Sequence, residues 1–422
     1  MTASGPALLR APPLSLYVHF PWCVRKCPYC DFNSYTLQGP LAEQAYLQRL
    51  RRDLESQAPQ VAGRTVSTVF FGGGTPSLFP PRAIAEVLAA ARQQLALDPG
   101  AEVTLEANPG TIERGAFAEY RAAGVTRVSL GAQSFEARTL EALGRIHSPA
   151  ETRRAAEELH AAGLENFNLD LMYALPGQEL GAALRDVAEA VALGPAHVSH
   201  YQLTLEPGTL FAARPPPLPD DDAAAHMLAE CSARLDAAGY RHYEVSAYAR
   251  AGAECRHNRN YWTFGDYLGI GAGAHGKLTH RVRGLIERTT QLREPRRYLA
   301  ANDAELARRT IPADELPFEF MLNALRLVEG FDEEDFTART GLAIGAIAPA
   351  LARSLERGLL ERRRGGYRPS PLGLRFLNEA LLLFMAETPK MTGDSALSIA
   401  RDEAASGKTT PLFTGSGGPV GE

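Results

Sequence analysis

The sequence lacks the features that mark membrane-spanning, secreted or nucleic-acid-binding proteins. Its 422 residues contain no run of roughly 18 apolar residues, so no segment is expected to span a bilayer. Residues 1–13 hold no apolar stretch long enough for a secretory signal. The net charge of −5 gives no general attraction to nucleic acid. We therefore expect a cytoplasmic protein with no stable membrane insertion and no nucleic-acid partner.

Cysteine is scarce, and its distribution argues against a disulfide framework. The chain has five cysteines, an odd number, and Cys23, Cys27 and Cys30 lie close together. Small domains that depend on disulfides carry more cysteine and usually an even count. A tight group of three thiols indicates a metal site instead.

Short apolar runs alternate with helical stretches in the first half of the chain. The β-branched runs are 14–20, 66–71, 102–107, 125–130, 167–172 and 198–203, and helical spacing occurs at 41–57, 82–95, 150–162 and 180–193. This alternation is typical of βαβ units with a parallel sheet. It predicts an α/β fold, a partial (β/α)6 TIM-like barrel, with a doubly wound open sheet as the alternative.

Polar residues or glycines lie at or near the C-terminal end of most of the predicted strands. They are Gly72–Thr75, Glu106, Asn108, Gln133, Asp170, Gln202 and Thr204. One such residue alone is more often a helix cap or part of a turn. Parallel barrels, however, place their active sites at the C-terminal ends of the strands. Because so many strands end in this way, we predict a functional site at that edge.

The pattern divides the chain into five predicted segments. They are an N-terminal segment (1–13), a barrel core (14–250), a connecting segment (251–309), a mainly helical C-terminal domain (310–387) and a disordered tail (388–422). In the C-terminal domain, helices precede two short strands around Gly365-Gly366, which is the order of a winged helix. The acidic net charge disfavours a transcription factor built on this domain. We expect the domain to cover the barrel mouth.

The three clustered cysteines have the spacing C-x3-C-x2-C in the loop after the first strand. Three thiolates on one loop can hold three irons of a [4Fe–4S] cluster and leave the fourth iron open. Zinc is the competing interpretation, but structural zinc needs a fourth ligand. His19 is the only nearby candidate, and it lies in the strand. We therefore predict a [4Fe–4S] cluster on Cys23, Cys27 and Cys30.

This cysteine motif, with Tyr29 before its third cysteine, resembles that of the radical S-adenosylmethionine (SAM) superfamily. The sequence Gly72-Gly73-Gly74-Thr75-Pro76 is similar to the glycine motif of that superfamily. The resemblance implies that the amino and carboxylate groups of SAM chelate the open iron. It also implies that reduction cleaves SAM to a 5′-deoxyadenosyl radical. Glycines here would let the backbone approach the SAM amino group.

Longer motifs narrow the resemblance to the HemN-like group of the superfamily. They are Leu-Tyr-Val-His-Phe-Pro-Trp-Cys at 16–23, Phe-Phe-Gly-Gly-Gly-Thr-Pro-Ser at 70–77 and Asn-Leu-Asp-Leu-Met-Tyr-Ala-Leu-Pro-Gly-Gln at 168–178. The resemblance implies a set of SAM-binding residues: Tyr17, Tyr29, Gly73, Gly74, Thr75, Glu106, Gln133, Arg145, Asp170 and Thr204. The chemistry agrees, because Glu106 and Asp170 can accept from an ammonium or from ribose hydroxyls, and Arg145 can pair with a carboxylate.

The HemN-like group contains oxygen-independent coproporphyrinogen III oxidases and heme chaperones, and this chain departs from the oxidases. Phe32 stands where the oxidase motif has a fourth cysteine. Residues 1–13 cannot supply the N-terminal extension of the oxidases. Residues 257–262 also match the H-N-x-x-Y-W motif associated with heme binding in the chaperones.

That motif implies heme contact by four residues: His257, Asn258, Tyr261 and Trp262. His257 would be an axial ligand of the heme iron, and the two aromatic rings would lie against the porphyrin. A hydrogen-bonded structural cluster is the alternative that the residues alone favour. Other possible iron ligands stay open, namely Cys255, His242, His275 and His280.

These observations predict a radical-SAM-type heme chaperone of porphyrin metabolism, which binds heme and passes it to acceptor proteins. The expected cofactors are a [4Fe–4S] cluster, SAM and heme, and the acceptors include membrane respiratory enzymes by implication of the family. The alternative is an oxygen-independent coproporphyrinogen III oxidase, which decarboxylates its substrate by SAM radical chemistry. We assign no catalytic residue, and the chain is expected to be a monomer or a dimer.

Overall fold

The computed structural model describes residues 11–110, 116–301 and 306–385. The predicted tail at 388–422 lies outside the described residues, as does most of the predicted N-terminal segment. Within the described part of the chain, no helix is long and apolar enough to cross a bilayer.

Strands form the frame of the molecule. In chain order they are β1 (Leu14–Phe20), β2 (Trp22–Cys23), β3 (Tyr35–Thr36), β4 (Thr65–Gly73), β5 (Ala96–Ala107), β6 (Arg127–Gln133), β7 (Phe167–Tyr173), β8 (His197–Gln202), β9 (Arg241–Glu244), β10 (Ala247–Ala249), β11 (Asp266–Ile270), β12 (His275–His280), β13 (Leu285–Thr290), β14 (Ala307–Thr310), β15 (Phe331–Asp332), β16 (Leu360–Arg363) and β17 (Gly366–Pro369). The six predicted runs coincide with β1 and β4 to β8, which are parallel neighbours.

Helices connect the successive parallel strands, and further helices form most of the C-terminal domain. They are α1 (Glu43–Gln57), α2 (Pro81–Gln94), α3 (Phe117–Ala123), α4 (Ala137–Ala142), α5 (Pro149–Ala161), α6 (Leu180–Ala192), α7 (Leu210–Ala213), α8 (Asp221–Ala237), α9 (Arg256–Trp262), α10 (Pro295–Ala300), α11 (Leu316–Ala324), α12 (Glu333–Thr340), α13 (Ala348–Glu356), α14 (Pro371–Arg375) and α15 (Leu377–Leu382). The local sequence determines where several of these helices begin. Helix α5, for example, begins with a capping box between Ser148 and Glu151.

The main sheet does not close on itself. Its order is β14-β13-β12-β11-β1-β4-β5-β6-β7-β8-β10-β9, so β1 and β8 pair with β11 and β10 rather than with each other. The partial barrel that the alternation of strands and helices predicts is therefore confirmed. Its concave side holds the C-terminal ends of six consecutive parallel strands.

Side chains on the parallel strands alternate between two faces. In β7, Phe167, Leu169 and Leu171 belong to the main apolar core, whereas Asn168 and Asp170 line the interior of the barrel. This period of two is the geometry of any strand. Burial of the outer face under the helices stabilises the fold, and the inner face is left free to carry polar chemistry.

The structure differs from the prediction between residues 241 and 310. Residues 241–249, at the end of the predicted barrel core, form a hairpin of β9 and β10. The predicted connecting segment, 251–309, contains β11 to β13, which extend the main sheet beyond β1. Strands β11 and β12 contain glycines instead of a β-branched run, so the sequence pattern did not predict them. A Cβ on Gly269 would lie 1.8 Å from the carbonyl oxygen of His275, which means that the two backbones are in direct contact there. The division into domains itself stays a prediction.

The C-terminal domain combines helices α11 to α15 with the small sheet β15-β17-β16. A second apolar core holds it together around Phe320, Phe331 and Phe336. This mainly helical architecture agrees with the predicted fold class. The domain joins the edge of the main sheet, because the amide of Val245 donates to the carbonyl of Arg326 at 3.0 Å.

Candidate functional site

One cleft runs through the interior of the partial barrel, with an empty volume of about 1290 Å³ including open solvent. Most of the predicted site residues line it: Cys23, Cys27, Tyr29, Cys30, Gly73, Gly74, Thr75, Glu106, Gln133, Arg145, Asp170, Thr204 and Asn258. The C-terminal ends of the parallel strands thus bring these residues together, as barrel geometry requires. Tyr17, His257, Tyr261 and Trp262 do not line the cleft.

The cysteine loop is fixed at both of its ends. After β1 the chain forms β2, which pairs with β3 at the far end of the loop. Within the loop, the amide of Cys30 donates to the carbonyl of Cys27 at 3.2 Å. The ammonium of Lys26 donates to the carbonyls of Phe32 and Ser34, each at 3.0 Å. The loop therefore presents its three thiols to the cleft from a defined backbone.

The three thiols fit a cluster better than a single metal ion. All are free and partly buried. Burial raises the pKa of the Cys23 thiol, and it raises the pKa of the Cys30 thiol to about 11. Such thiols keep their protons at neutral pH unless a metal replaces them. Among the described residues, no three His, Cys, Asp or Glu side chains are placed to hold one ion, which disfavours zinc. Three separate irons of a [4Fe–4S] cluster do not require convergence on one point.

The glycine loop after β4 packs flat against the cysteine loop. The amide of Gly74 donates to the carbonyl of Phe20 at 2.7 Å, and that of Thr75 donates to the carbonyl of Trp22 at 2.8 Å. A Cβ on Gly74 would lie 2.6 Å from the Trp22 oxygen. Gly73 has φ +113°, and a Cβ there would lie 2.6 Å from the His19 ring. These glycines therefore serve the contact between two protein loops, a role beyond the predicted approach of SAM.

Two partly buried acids, Glu106 and Asp170, line the cleft. The Glu106 carboxylate accepts from the amide of Gly73 at 3.1 Å. Burial, together with the nearby charge of Asp170, raises the pKa of Glu106 to about 8. Asp170 accepts from Ser129 at 3.2 Å and from Asn168 at 2.8 Å, while burial raises its pKa. A pair of desolvated acids is suited to accept from an ammonium or from hydroxyl groups.

Gln133 and Arg145 also line the cleft, and Gln133 ends β6, the strand between those that carry Glu106 and Asp170. Gln133 has the unusual φ of +66°, and its Oε1 accepts from the Tyr201 hydroxyl at 2.8 Å. A left-handed conformation at a residue other than glycine is typical of functional sites. Arg145 donates to the carbonyl of Gly131 at 2.9 Å, and its Nη1 lies 3.7 Å from the Cys27 sulfur. The guanidinium therefore stands next to the cysteine loop.

The other predicted SAM residues take different positions. Tyr29 packs on Phe211, with ring centroids 6.3 Å apart, and Thr204 stands exposed at the cleft wall. Tyr17 lies behind the lining, and its hydroxyl is 3.0 Å from His19 Nδ1. Contact between Tyr17 and a ligand in the cleft stays a prediction.

The H-N-x-x-Y-W motif forms helix α9, most of which is buried behind the cleft. His257 is 0% exposed; its Nδ1 lies 2.8 Å from the Thr68 hydroxyl and its Nε2 lies 2.7 Å from the Tyr261 hydroxyl. Burial, with a contribution from Arg127, lowers the pKa of His257 to about 3. Trp262 is also buried, beneath the guanidinium of Arg326. Asn258 alone of the four predicted heme residues lines the cleft.

The other candidate iron ligands also lie away from the cleft. Cys255 is fully buried, and burial raises the pKa of its thiol to about 12. His242, His275 and His280 are partly buried and do not line the cleft. Heme ligation by His257, or by any of these alternatives, stays a prediction.

The structure adds cleft residues that the sequence analysis missed. They are Arg127, Ser129, Asn168, Met172, His197, Ser199 and Tyr201. The signal that could have found them is the alternation along each strand. Successive steps of two residues back from Gln133 reach Ser129 and Arg127. A step of two residues in either direction from Asp170 reaches Asn168 and Met172 in β7.

The fold and the cleft together define the class of protein. A C-x3-C-x2-C loop, a glycine loop and a pair of acids stand at the C-terminal ends of a partial barrel, and the donor set fits a [4Fe–4S] cluster with SAM. Comparison with known proteins agrees. A family model described as the radical SAM superfamily matches residues 17–188, and one described as the HemN C-terminal domain matches residues 311–376.

Similar proteins narrow the class further. The heme chaperone HemW of Escherichia coli is 48% identical over 380 residues, which cover 90% of this chain and 100% of that protein. The mitochondrial radical S-adenosyl methionine domain-containing protein 1 of Bos taurus is 37% identical, covering 88% of this chain and 87% of that protein. The structure of Escherichia coli coproporphyrinogen III oxidase (HemN) matches with a TM-score of 0.76 and 22% identity, covering 90% of this chain and 91% of that one, which shows a shared fold. This chain belongs to the HemW family of the radical SAM superfamily.

Proposed function

We propose that this protein is a heme chaperone, which binds heme and delivers it to acceptor proteins. The main support for this proposal is that the chain is 48% identical to the heme chaperone HemW of Escherichia coli over the whole length of that protein. Other relatives named heme chaperones are 36–44% identical over 85–90% of this chain.

In this proposal the cysteine loop holds the [4Fe–4S] cluster through Cys23, Cys27 and Cys30. When bound, the cluster and SAM supply reductive radical chemistry. Glu106 would accept from the SAM amino group, and Asp170 would accept from the ribose hydroxyls. Arg145, which stands beside the cysteine loop, would pair with the SAM carboxylate. The cleft wall would exclude water from these contacts.

We further propose that helix α9 contributes to the heme site. Its support is the position of Asn258, whose Oδ1 is buried at the cleft without a hydrogen-bond partner in the described part of the chain. The low pKa of His257 keeps its imidazole neutral, which is the form that ligates iron. Ligation would require Nε2 to exchange the Tyr261 hydroxyl for the metal.

The oxidase alternative is not favoured. Phe32 lines the cleft at the position where the resemblance puts the fourth cysteine of the oxidases. The match to the oxidase structure, at 22% identity, concerns the fold alone. We therefore expect no coproporphyrinogen oxidase activity.

The partners and the compartment are also proposals. We propose that the acceptors are heme-dependent proteins, including membrane respiratory enzymes, and that the chain acts as a monomer or a dimer. Three thiols that must stay reduced to bind iron are compatible with the cytoplasm, where we place the protein.

The test is a paired assay on protein whose cluster has been reconstituted anaerobically. One sample is titrated with heme, and a parallel sample receives coproporphyrinogen III, SAM and a reductant. We expect stoichiometric heme binding without formation of protoporphyrinogen. A Cys27→Ser variant serves as the control that removes the cluster. Repeated turnover of coproporphyrinogen III by the unaltered protein would contradict the proposal.

A further inference from the structure

Arg127 is the first residue of β6 and points into the barrel. It is 2% exposed and lines the same cleft as the cysteine loop. Gln133, at the other end of β6, lies six residues further on, roughly 20 Å at the rise of a strand. The cleft thus extends from the cysteine loop, at the C-terminal ends of the strands, to Arg127 near their N-terminal ends.

The guanidinium of Arg127 has no partner among the described residues. It makes no hydrogen bond or ion pair there, and its Nε is buried and unsatisfied. The nearest acids are engaged elsewhere. Glu102 accepts from the amides of Arg256 and His257, at 3.2 and 3.1 Å. Asp170 accepts from Ser129 and Asn168.

A buried guanidinium without hydrogen-bond acceptors is costly, because its N–H donors lose water and gain no protein partner, even though the electrostatic effect of Cys255 and Glu102 raises the pKa of Arg127. Two other arginines, the partly buried Arg288 and the buried Arg326, show the usual solution. Arg288 pairs with Glu319 and donates to the Tyr267 hydroxyl. Arg326 pairs with Glu244 at 3.1 Å. Arg127 departs from this pattern in the wall of a cleft, where a ligand can supply the missing hydrogen-bond acceptors.

Helix α9 reaches the cleft at the same depth. The Arg127 charge and the backbone amide of Asn258 both lower the pKa of the Cys255 thiol, so both residues lie near this thiol. Asn258 lines the cleft as well, and its side-chain amide makes no hydrogen bond in the described structure, so its Nδ2 can donate to a ligand. A planar guanidinium beside a primary amide presents several N–H donors, which is the arrangement that binds a carboxylate.

We propose that Arg127, together with Asn258, forms a carboxylate-binding subsite deep in the cleft that receives a propionate of the bound heme. The proposal rests on the proposed function, since heme is the ligand. The subsite would orient the macrocycle against α9 and leave the other end of the cleft to the cluster and SAM. The carboxylate of SAM is the other possible source of the same group, and the experiment separates the two.

The first readout is the stability of the ligand-free protein. Arg127→Gln removes a buried arginine that makes no direct ion pair, so we expect it to lower the thermal midpoint much less than loss of a paired buried arginine does. The matched control, Arg326→Gln, removes a buried arginine that pairs with Glu244 and should lower the midpoint clearly. If Arg127→Gln lowers it as much as the control does, Arg127 is a structural cation and the subsite is refuted.

The second readout is affinity for heme and for heme dimethyl ester, whose propionates carry no charge. We expect the unaltered protein to bind heme about 10- to 100-fold more tightly than the ester, the range for a hydrogen bond to a charged group. Arg127→Gln should bind the two ligands equally and keep its affinity for SAM. If the unaltered protein binds heme and heme dimethyl ester equally well, the proposed subsite is refuted, but the proposed heme-chaperone function is not.

Two other results would also overturn the subsite. If Arg127→Gln loses SAM binding while still preferring heme to the ester, then the carboxylate belongs to SAM. If the unaltered protein binds neither form of heme, then the proposed chaperone function itself fails.

Discussion

At the scale of single residues, Glu106 makes the cleft sensitive to pH. Its pKa in the folded chain is about 8, above the value of about 4.3 for an unfolded chain. Between these two pH values, the folded chain therefore keeps a proton on Glu106 that the unfolded chain has lost. It follows that the cofactor-free protein loses stability as pH rises from about 4 towards 8.

The first prediction concerns SAM affinity. The N–H groups of the SAM amino group donate to the ionised carboxylate of Glu106, so binding should release a proton and tighten by up to about 10-fold per pH unit below the pKa. Calorimetry between pH 6 and 8, in buffers of different ionisation enthalpy, measures the released proton. Glu106→Gln should bind SAM weakly and with no pH dependence over that range. Proton release that persists in this variant would assign the titration to another group.

The second prediction concerns His257. In the hydrogen-bond network Thr68 donates to Ser15, so His257 Nδ1 donates to Thr68 and Nε2 accepts from Tyr261. His257→Ala should leave the buried Tyr261 hydroxyl without its acceptor and Thr68 without one of its two hydrogen bonds, lower the free energy of unfolding by about 2–4 kcal/mol, and weaken heme binding. The absorption spectrum of the cluster should not change.

Tyr261→Phe is the matched variant for that experiment. It keeps the aromatic ring and frees the Nε2 lone pair, so it should tighten heme binding by about 2- to 10-fold if His257 ligates the iron. Heme titration followed by the Soret band distinguishes the two variants. If both variants weaken binding alike, or if neither changes it, His257 has only a structural role.

At the scale of elements, the glycine loop is the part that positions the cysteine loop. Gly74→Ala would place a Cβ 2.6 Å from the Trp22 backbone, next to Cys23. We expect it to reduce iron and sulfide content after reconstitution and to destabilise the fold by about 1–3 kcal/mol. Gly345→Ala is the control, since no heavy atom lies within 4 Å of its added Cβ. Normal cluster loading in Gly74→Ala would show that the contact is not needed.

The elements also show what the sequence could and could not predict. The strands β1 and β4 to β8 were predictable because each buries apolar side chains under helices, which leaves a β-branched run. The strands β11 and β12 were missed because glycines such as Gly269 replace those side chains where backbones touch. The polar inner face, including Arg127, follows from strand alternation, but only the structure shows which of its charges lack a partner.

At the scale of the whole molecule, a buried ion pair joins the C-terminal domain to the barrel. Glu244 and Arg326 lie 3.1 Å apart, with side chains only 4% and 5% exposed. Glu244→Gln should lower the free energy of unfolding by about 3–5 kcal/mol, because a buried charge loses its partner. Glu379→Gln breaks the exposed pair with Arg357 and should cost at most about 1 kcal/mol. Chemical denaturation measures both, and equal losses would contradict this account.

The central claim is that the molecule delivers heme, and the most direct test is transfer of heme to an acceptor. Protein loaded with one heme is mixed with a heme-free respiratory enzyme, and the Soret band and the recovered activity of the acceptor are followed. The account predicts transfer faster than the release of heme to a passive scavenger, because a chaperone passes its ligand on within a complex with the acceptor. Transfer no faster than that release, or heme that stays bound, would contradict it.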